Sequence, residues 1–170
     1  TQLDSHSLSD ISASRFWKAT GLKEEECKDK LFLDVGCGAG RFSEVVLKAG
    51  GTVVAFDYSS SVDAAFLNLR KFENFHIIQA DIYAMPFKKN IFDIVYSLGV
   101  LQHTPDVEAA FKALPRFLKS PGFLCTDFYW KRMRTLLHSK YIVRPITKRL
   151  NQDKLFSFLE NNTSWMLSLS

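Results

Sequence analysis

The sequence predicts an α/β fold: a doubly wound, mostly parallel sheet with helices on both faces. Short apolar or β-branched runs alternate with amphipathic stretches of helical length from Leu31 to Phe128, and a glycine cluster follows directly on the first of those runs. Alternation of this kind implies right-handed crossovers between parallel strands. The third observation is size. With 170 residues, 46% hydrophobic and 24% charged, the chain is long enough for one core that buries roughly 70% of its unfolded surface. That balance excludes disordered, collagen-like and disulfide-stapled classes.

Each element follows in order. Ile11, Phe16, Trp17 and Leu22 recur at helical spacing and Gly21 supplies a stop, so residues 1–30 are expected to form a packing or lid helix. Residues 31–130 form the predicted core. Its strands are Leu31 to Val35, Thr52 to Phe56, Phe75 to Gln79, Phe92 to Ser97 and Phe123 to Phe128, the last after a Ser120-Pro121-Gly122 turn. Its helices are Arg41 to Lys48, Ser61 to Phe72 and Val107 to Leu118. Residues 131–170 are basic and then apolar, interrupted by Pro145, and read as helical, part of a substrate lid.

The net charge of +4 is unevenly spread. Lys131 to Lys154 holds eight basic residues against Asp153, a local +7, which leaves the rest of the chain at −3. That segment lacks interleaved aromatic residues apart from Tyr141, which disfavours nucleic acid. Its alternation with Leu136, Leu137, Ile142, Val143 and Ile146 admits an anionic membrane or a lipid-like acceptor, and equally a solvated lid. Cys27, Cys37 and Cys125 cannot all pair, and no Cys/His spacing for a metal is present, so no metal is expected. No apolar run reaches the ~20 residues of a membrane span, and Thr1 to Asp10 lacks a signal-peptide pattern. The expected compartment is the cytoplasm.

The most informative stretch is Leu33-Asp34-Val35-Gly36-Cys37-Gly38-Ala39-Gly40-Arg41-Phe42. A strand that runs into glycines and then a helix brings a ligand against bare backbone and free N–H groups. A triphosphate loop would need Gly-Lys-Ser/Thr, and here Gly40 is followed by Arg41-Phe42. A dinucleotide fingerprint would be G-x-G-x-x-G, whereas this spacing is G-x-G-x-G. Asp34 would also repel a pyrophosphate across a low-dielectric cleft. A cationic ligand is favoured instead, and S-adenosylmethionine carries a sulfonium, an ammonium and no phosphate.

From these residues onward the chain resembles the class I S-adenosylmethionine-dependent methyltransferases. Phe56-Asp57-Tyr58 is similar to the family's acidic motif after the second strand, and Gln79-Ala80-Asp81-Ile82 to the segment that meets the adenine amino group. Phe92 to His103 resembles the fourth strand and the loop that lines the methyl-transfer site, and Leu118-Lys119-Ser120-Pro121-Gly122 a "LKPGG" turn with Ser120 and Phe123 as departures. The resemblance implies cofactor contacts at Asp34, Gly36, Gly38, Asp57, Tyr58, Asp81, Ile82 and the backbone near Leu98, with Asp57 taking the two ribose hydroxyls. Each acid alone also has a plainer reading as a turn or cap residue. Their recurrence at successive strand ends favours a ligand at the sheet's switch point.

Methyl transfer needs alignment and, for a hydroxyl acceptor, a base; His103 is the candidate, with a helix-entry role at Thr104-Pro105-Asp106 as the alternative. Asp127, Tyr129 and Trp130 are candidates for acceptor contact or packing, and Arg41 for the methionine carboxylate. The expected acceptor is a small molecule. Because the family's sheet closes with a β-hairpin that residues after Phe128 do not suggest, the chain is expected to be a fragment lacking it. Its open sheet edge would then be covered by the C-terminal segment or by a second copy, a homo-oligomer. The competing reading is a non-catalytic module that keeps the cofactor fold.

Overall fold

The computed structural model describes residues 9–128, together with 149, 151, 156, 157 and 160–162. The chain divides into two compact units, residues 1–129 and 130–170. In the second, residues 156–157 and 160–162 are helical. Apart from residues 149 and 151 the basic segment lies outside the described residues, as do Tyr129, Trp130 and most of the lid expected over 131–170.

The first unit contains α1 (Ser9–Thr20), β1 (Leu31–Val35), α2 (Arg41–Lys48), β2 (Thr52–Asp57), α3 (Ser61–Leu69), β3 (Phe75–Gln79), β4 (Phe92–Ser97), α4 (Val107–Ala113) and β5 (Leu118–Thr126). The five strands form one sheet in the order β3-β2-β1-β4-β5, with every pairing parallel. The order reverses between β1 and β4, where side chains and loops diverge and leave a crevice. Among the described residues no strand follows β5.

Strand alternation divides the core between the two faces. Phe32, Val53, Ala55, Ile94 and Tyr96 face a cluster closed by Phe16 of α1, Val45 and Val46 of α2, and Ala65 and Leu69 of α3. Leu33, Val35, Phe56, Phe92 and Val95 face the other cluster, closed by Ala110 of α4 with Leu101, Leu114 and Phe117. Strands covered on both faces read as continuous apolar runs, which is why four of them are legible from composition. Each fully buried Phe of this kind contributes roughly 1.5–3 kcal/mol.

The boundaries of four elements, α3, α4, β5 and β2, differ from expectation. α3 stops at Leu69 rather than Phe72, because the chain tightens into turns with Phe72 N–H on Leu69 C=O and Phe75 N–H on Phe72 C=O to enter β3. α4 stops at Ala113, since Pro115 has no N–H to continue the ladder and starts a 3-10 turn over Pro115–Phe117. β5 begins at Leu118, five residues before the expected start. Leu118 pairs with Phe92 and Phe123 with Ile94, so the intervening residues, including a cis Ser120-Pro121 bond, bulge from the strand instead of preceding it. Asp127 and Phe128 lie beyond the strand, and β2 runs one residue further, to Asp57.

Candidate functional site

The glycine turn is built by two close approaches. Gly36 has φ of 78°, and a Cβ there would overlap the Val100 methyls; Gly40 has φ of 87°, and its Cβ would stand 2.5 Å from Leu69 Cδ1. Both positions therefore exclude larger residues on conformation and on space. Gly36 and Cys37 donate to Phe56 C=O at 2.9 and 3.0 Å, and Gly38 donates to Asp57 Oδ2 at 2.9 Å. This corrects the expectation of free N–H groups, because these three amides are already bonded. The turn offers bare backbone surface rather than an anion cradle.

Asp34 interrupts the apolar run of β1 and is 3% exposed. Its Oδ2 accepts from Ser43 Oγ at 2.6 Å and Tyr96 Oη at 2.9 Å, and the Ser43 backbone also bonds the carboxyl. Burial pushes its pKa from 3.8 to about 6 despite those bonds, with the Asp57 charge adding to the rise. Tyr96 is in turn held well above its usual range by burial and by Asp34. Expected as a cofactor contact, Asp34 lines neither cavity described below; it sits beneath the turn and shapes the field there.

Two cavities open at the C-terminal ends of the strands and share Gly36 and Val100. The first, of about 380 Å³, is walled by Val35 and Gly36, by Phe56 to Tyr58, by Ala80 to Tyr83, and by Val100 with His103 to Pro105. Among the described residues, its charged side chains are Asp57 and Asp81, and no Lys or Arg lines it. Asp57 Oδ1 accepts the Ser59 N–H and hydroxyl at 2.9 and 2.7 Å. Three of its roughly four acceptor directions are thus used. The Ser59 hydroxyl also lies 2.6 Å from Ser61 Oγ, which gives it a second hydrogen-bond partner besides Asp57. Asp81 Oδ1 accepts the Tyr83 N–H at 2.9 Å, and its other oxygen has no hydrogen bond among the described residues. Tyr58 is 76% exposed at the rim, Ile82 is buried in the wall, and His103 stands exposed at the end of a 3-10 turn over Leu101–His103.

The second cavity, of about 410 Å³, lies between Gly36 to Gly38, Leu98 to Val100, Phe42, Arg41 and Arg15. Arg15 and Arg41 approach the Phe42 ring at 5.6 and 5.5 Å from its centroid. Arg41 Nε donates to Ser12 Oγ, and Arg15 is 3.8 Å from Asp127. Asp127 also accepts the Gly99 N–H, so it ties the end of β5 to the loop after β4.

The structure therefore brings Gly36, Gly38, Asp57, Tyr58, Asp81, Ile82, Leu98 and His103 to one crevice. Sequence reading missed Arg15 and Tyr83, while Val100 falls in the Phe92 to His103 stretch expected to line the site without being singled out. Arg15 arrives through packing of α1 on α2, which no local pattern announces. Gln102 beside His103 was likewise not singled out; its side-chain N and O are buried without a partner among the described residues.

Comparison with known proteins agrees with the fold. The model of a family described as "Methyltransferase domain" matches residues 33–126. A ubiquinone biosynthesis O-methyltransferase of Hydrogenovibrio crunogenus is 34% identical over 104 residues, covering 59% of this chain and 43% of that protein. A sterol 4-C-methyltransferase of Caenorhabditis elegans is 29% identical over 94 residues, covering 53% and 28%. The chain thus spans less than half the length of these two relatives. An S-adenosylmethionine-dependent methyltransferase from Aquifex aeolicus has the same fold, with a TM-score of 0.60 at 21% identity over 85% of this chain and 81% of that one.

Proposed function

The chain belongs to the methyltransferase domain family, and from that premise we propose that it transfers a methyl group from S-adenosylmethionine to a small-molecule acceptor. The observation that carries this is the pairing of cavities of opposite character across Gly36 and Val100. One has two carboxylates and no cation, which suits a nucleoside and repels phosphate; the other has two guanidinium groups, which suit a carboxylate. A ligand with a nucleoside at one end, an amino-acid carboxylate at the other and a positive centre between them fits both.

The cofactor supplies a methyl group on a sulfonium whose departing thioether is neutral, so the leaving group needs no acid. Asp57 receives the ribose hydroxyls once Ser59 turns to Ser61, and the unbonded oxygen of Asp81 receives the adenine amino group. Tyr58 covers the open side of the base. Arg15 and Arg41 hold the carboxylate, and Asp34, ionised at neutral pH, favours positive charge above the turn. His103 removes a proton from a hydroxyl acceptor at the rim. Unchanged turnover of His103→Ala on such an acceptor would end that assignment.

The names of the relatives, ubiquinone biosynthesis and sterol methylation, support a lipid-like acceptor, as does the mixed basic and apolar segment 131–154. Salt-dependent liposome binding that a Lys/Arg to Gln variant of that segment loses is the expected outcome. We place the protein in the cytoplasm, a reading supported by three unpaired, buried cysteines. Calorimetry tests the central reading: S-adenosylmethionine and S-adenosylhomocysteine bind, NAD does not, and Asp57→Ala weakens binding at least ~10-fold, the cost of losing a charged hydrogen-bond partner. Binding of NAD alone would overturn it.

A further inference from the structure

Asp106 lies 23 positions after Tyr83, yet one phenol hydroxyl holds it by both of its backbone polar groups. The Tyr83 hydroxyl donates to the Asp106 carbonyl and accepts from the Asp106 N–H, each at 2.9 Å. Both partners line or adjoin the nucleoside-side cavity: Tyr83 through its own side chain, Asp106 as the residue after His103, Thr104 and Pro105. The link continues at both ends. The Tyr83 N–H donates to Asp81 Oδ1, and the Asp106 carboxylate caps α4 by accepting from the Ala109 N–H at 2.9 Å. Hydrogen bonds joined through the covalent frames of Tyr83 and Asp106 therefore run from Asp81, assigned above to the adenine amino group, to the segment carrying the candidate base and the start of α4.

We propose that Tyr83 is a positioning residue that couples cofactor occupancy at Asp81 to the order of the His103–Asp106 segment on the acceptor side of the site. The inference rests on the cofactor reading given under Proposed function. A ligand that holds Asp81 fixes the Asp81–Tyr83 turn, and the turn presents a hydroxyl that only one arrangement of the Asp106 peptide can use for both donation and acceptance. Reciprocity of coupling requires the reverse as well: an acceptor that orders residues 103–106 tightens cofactor binding. Phe at position 83 keeps the ring and the Tyr83 N–H bond to Asp81 and removes only the link to Asp106. Two ordinary hydrogen bonds correspond to a roughly tenfold or larger change in the local opening equilibrium.

Amide hydrogen exchange of the full chain, with and without S-adenosylhomocysteine, tests this in wild type and Tyr83→Phe. In wild type the ligand slows exchange in the glycine turn, in residues 81–83 and in residues 104–110. In Tyr83→Phe the glycine turn and residues 81–83 stay protected, which also shows that the variant folds and binds, while ligand-induced protection of 104–110 falls about tenfold or more. Equal protection of 104–110 in both proteins, or a wild type whose glycine turn responds while 104–110 does not, overturns the coupling. If the wild-type glycine turn does not respond at all, the cofactor reading fails and the coupling falls with it.

Discussion

Asp34 carries its ionisation into the centre of a strand otherwise made of Leu31, Phe32, Leu33 and Val35. Its carboxyl holds a proton more tightly in the folded chain than in the unfolded one, because burial raises its pKa from 3.8 to about 6. Such a group lends stability at low pH that is lost as the pH rises through the interval between the two values. At 1.36 kcal/mol per unit the loss is about 3 kcal/mol. Urea melts should therefore show wild type losing stability relative to Asp34→Asn between about pH 4 and pH 6.5. Parallel pH profiles for the two proteins would contradict the assignment. Gln102 poses the complementary case: an amide buried with neither polar atom bonded among the described residues. Gln102→Met should raise the unfolding free energy by about 1–3 kcal/mol, the usual penalty of an unsatisfied buried group. A fall in stability would reveal a partner for the amide. Neither residue's environment is legible in sequence, where Asp34 reads as a ligand contact and Gln102 as one more loop residue. Both depend on what the fold brings from 62 positions away in the case of Asp34 and Tyr96.

At the scale of elements, the site depends on the turn after β1 and the loop after β4 touching at Gly36 and Val100. Gly36→Ala should cost about 2–5 kcal/mol, combining a left-handed backbone with an overpacked contact. Adding Val100→Ala should recover the steric part but not the backbone part, a non-additivity that a double-mutant cycle reads directly. Additive effects would mean that the two loops are not in register as described. Elements that carry the site were the easiest to read. β1 to β4 are apolar runs bounded by Gly, Asp or Asn, and the acids at their ends sit where ligands of open sheets bind. The exits of α3 and α4 and the start of β5 were harder, because a 3-10 turn, a proline and a strand bulge continue an apolar pattern without continuing the element. Arg15 was invisible for a different reason: its cavity role exists only once α1 has packed beside α2.

For the whole molecule, the net charge of +4 conceals an arrangement by sign. The first unit sets Asp57 and Asp81 around one half of a crevice, with Asp34 buried beneath the turn, and Arg15 and Arg41 around the other half, while the +7 segment belongs to residues after β5. Under the proposed function, selection of a nucleoside with a positive centre and a distant carboxylate comes from the first unit, not from the bulk charge. The chain's eight glycines sample this geometry, since Gly36, Gly38 and Gly99 line the crevice, Gly40 closes the same turn against Leu69, and Gly21, Gly50, Gly51 and Gly122 lie elsewhere. Selective 15N-glycine labelling followed by titration with S-adenosylhomocysteine is the most direct test. Saturable shifts of Gly36, Gly38 and Gly99 are expected, with Gly21, Gly50, Gly51 and Gly122 unmoved; an unchanged spectrum, or shifts confined to Gly21, Gly50, Gly51 or Gly122, would contradict the proposed cofactor site.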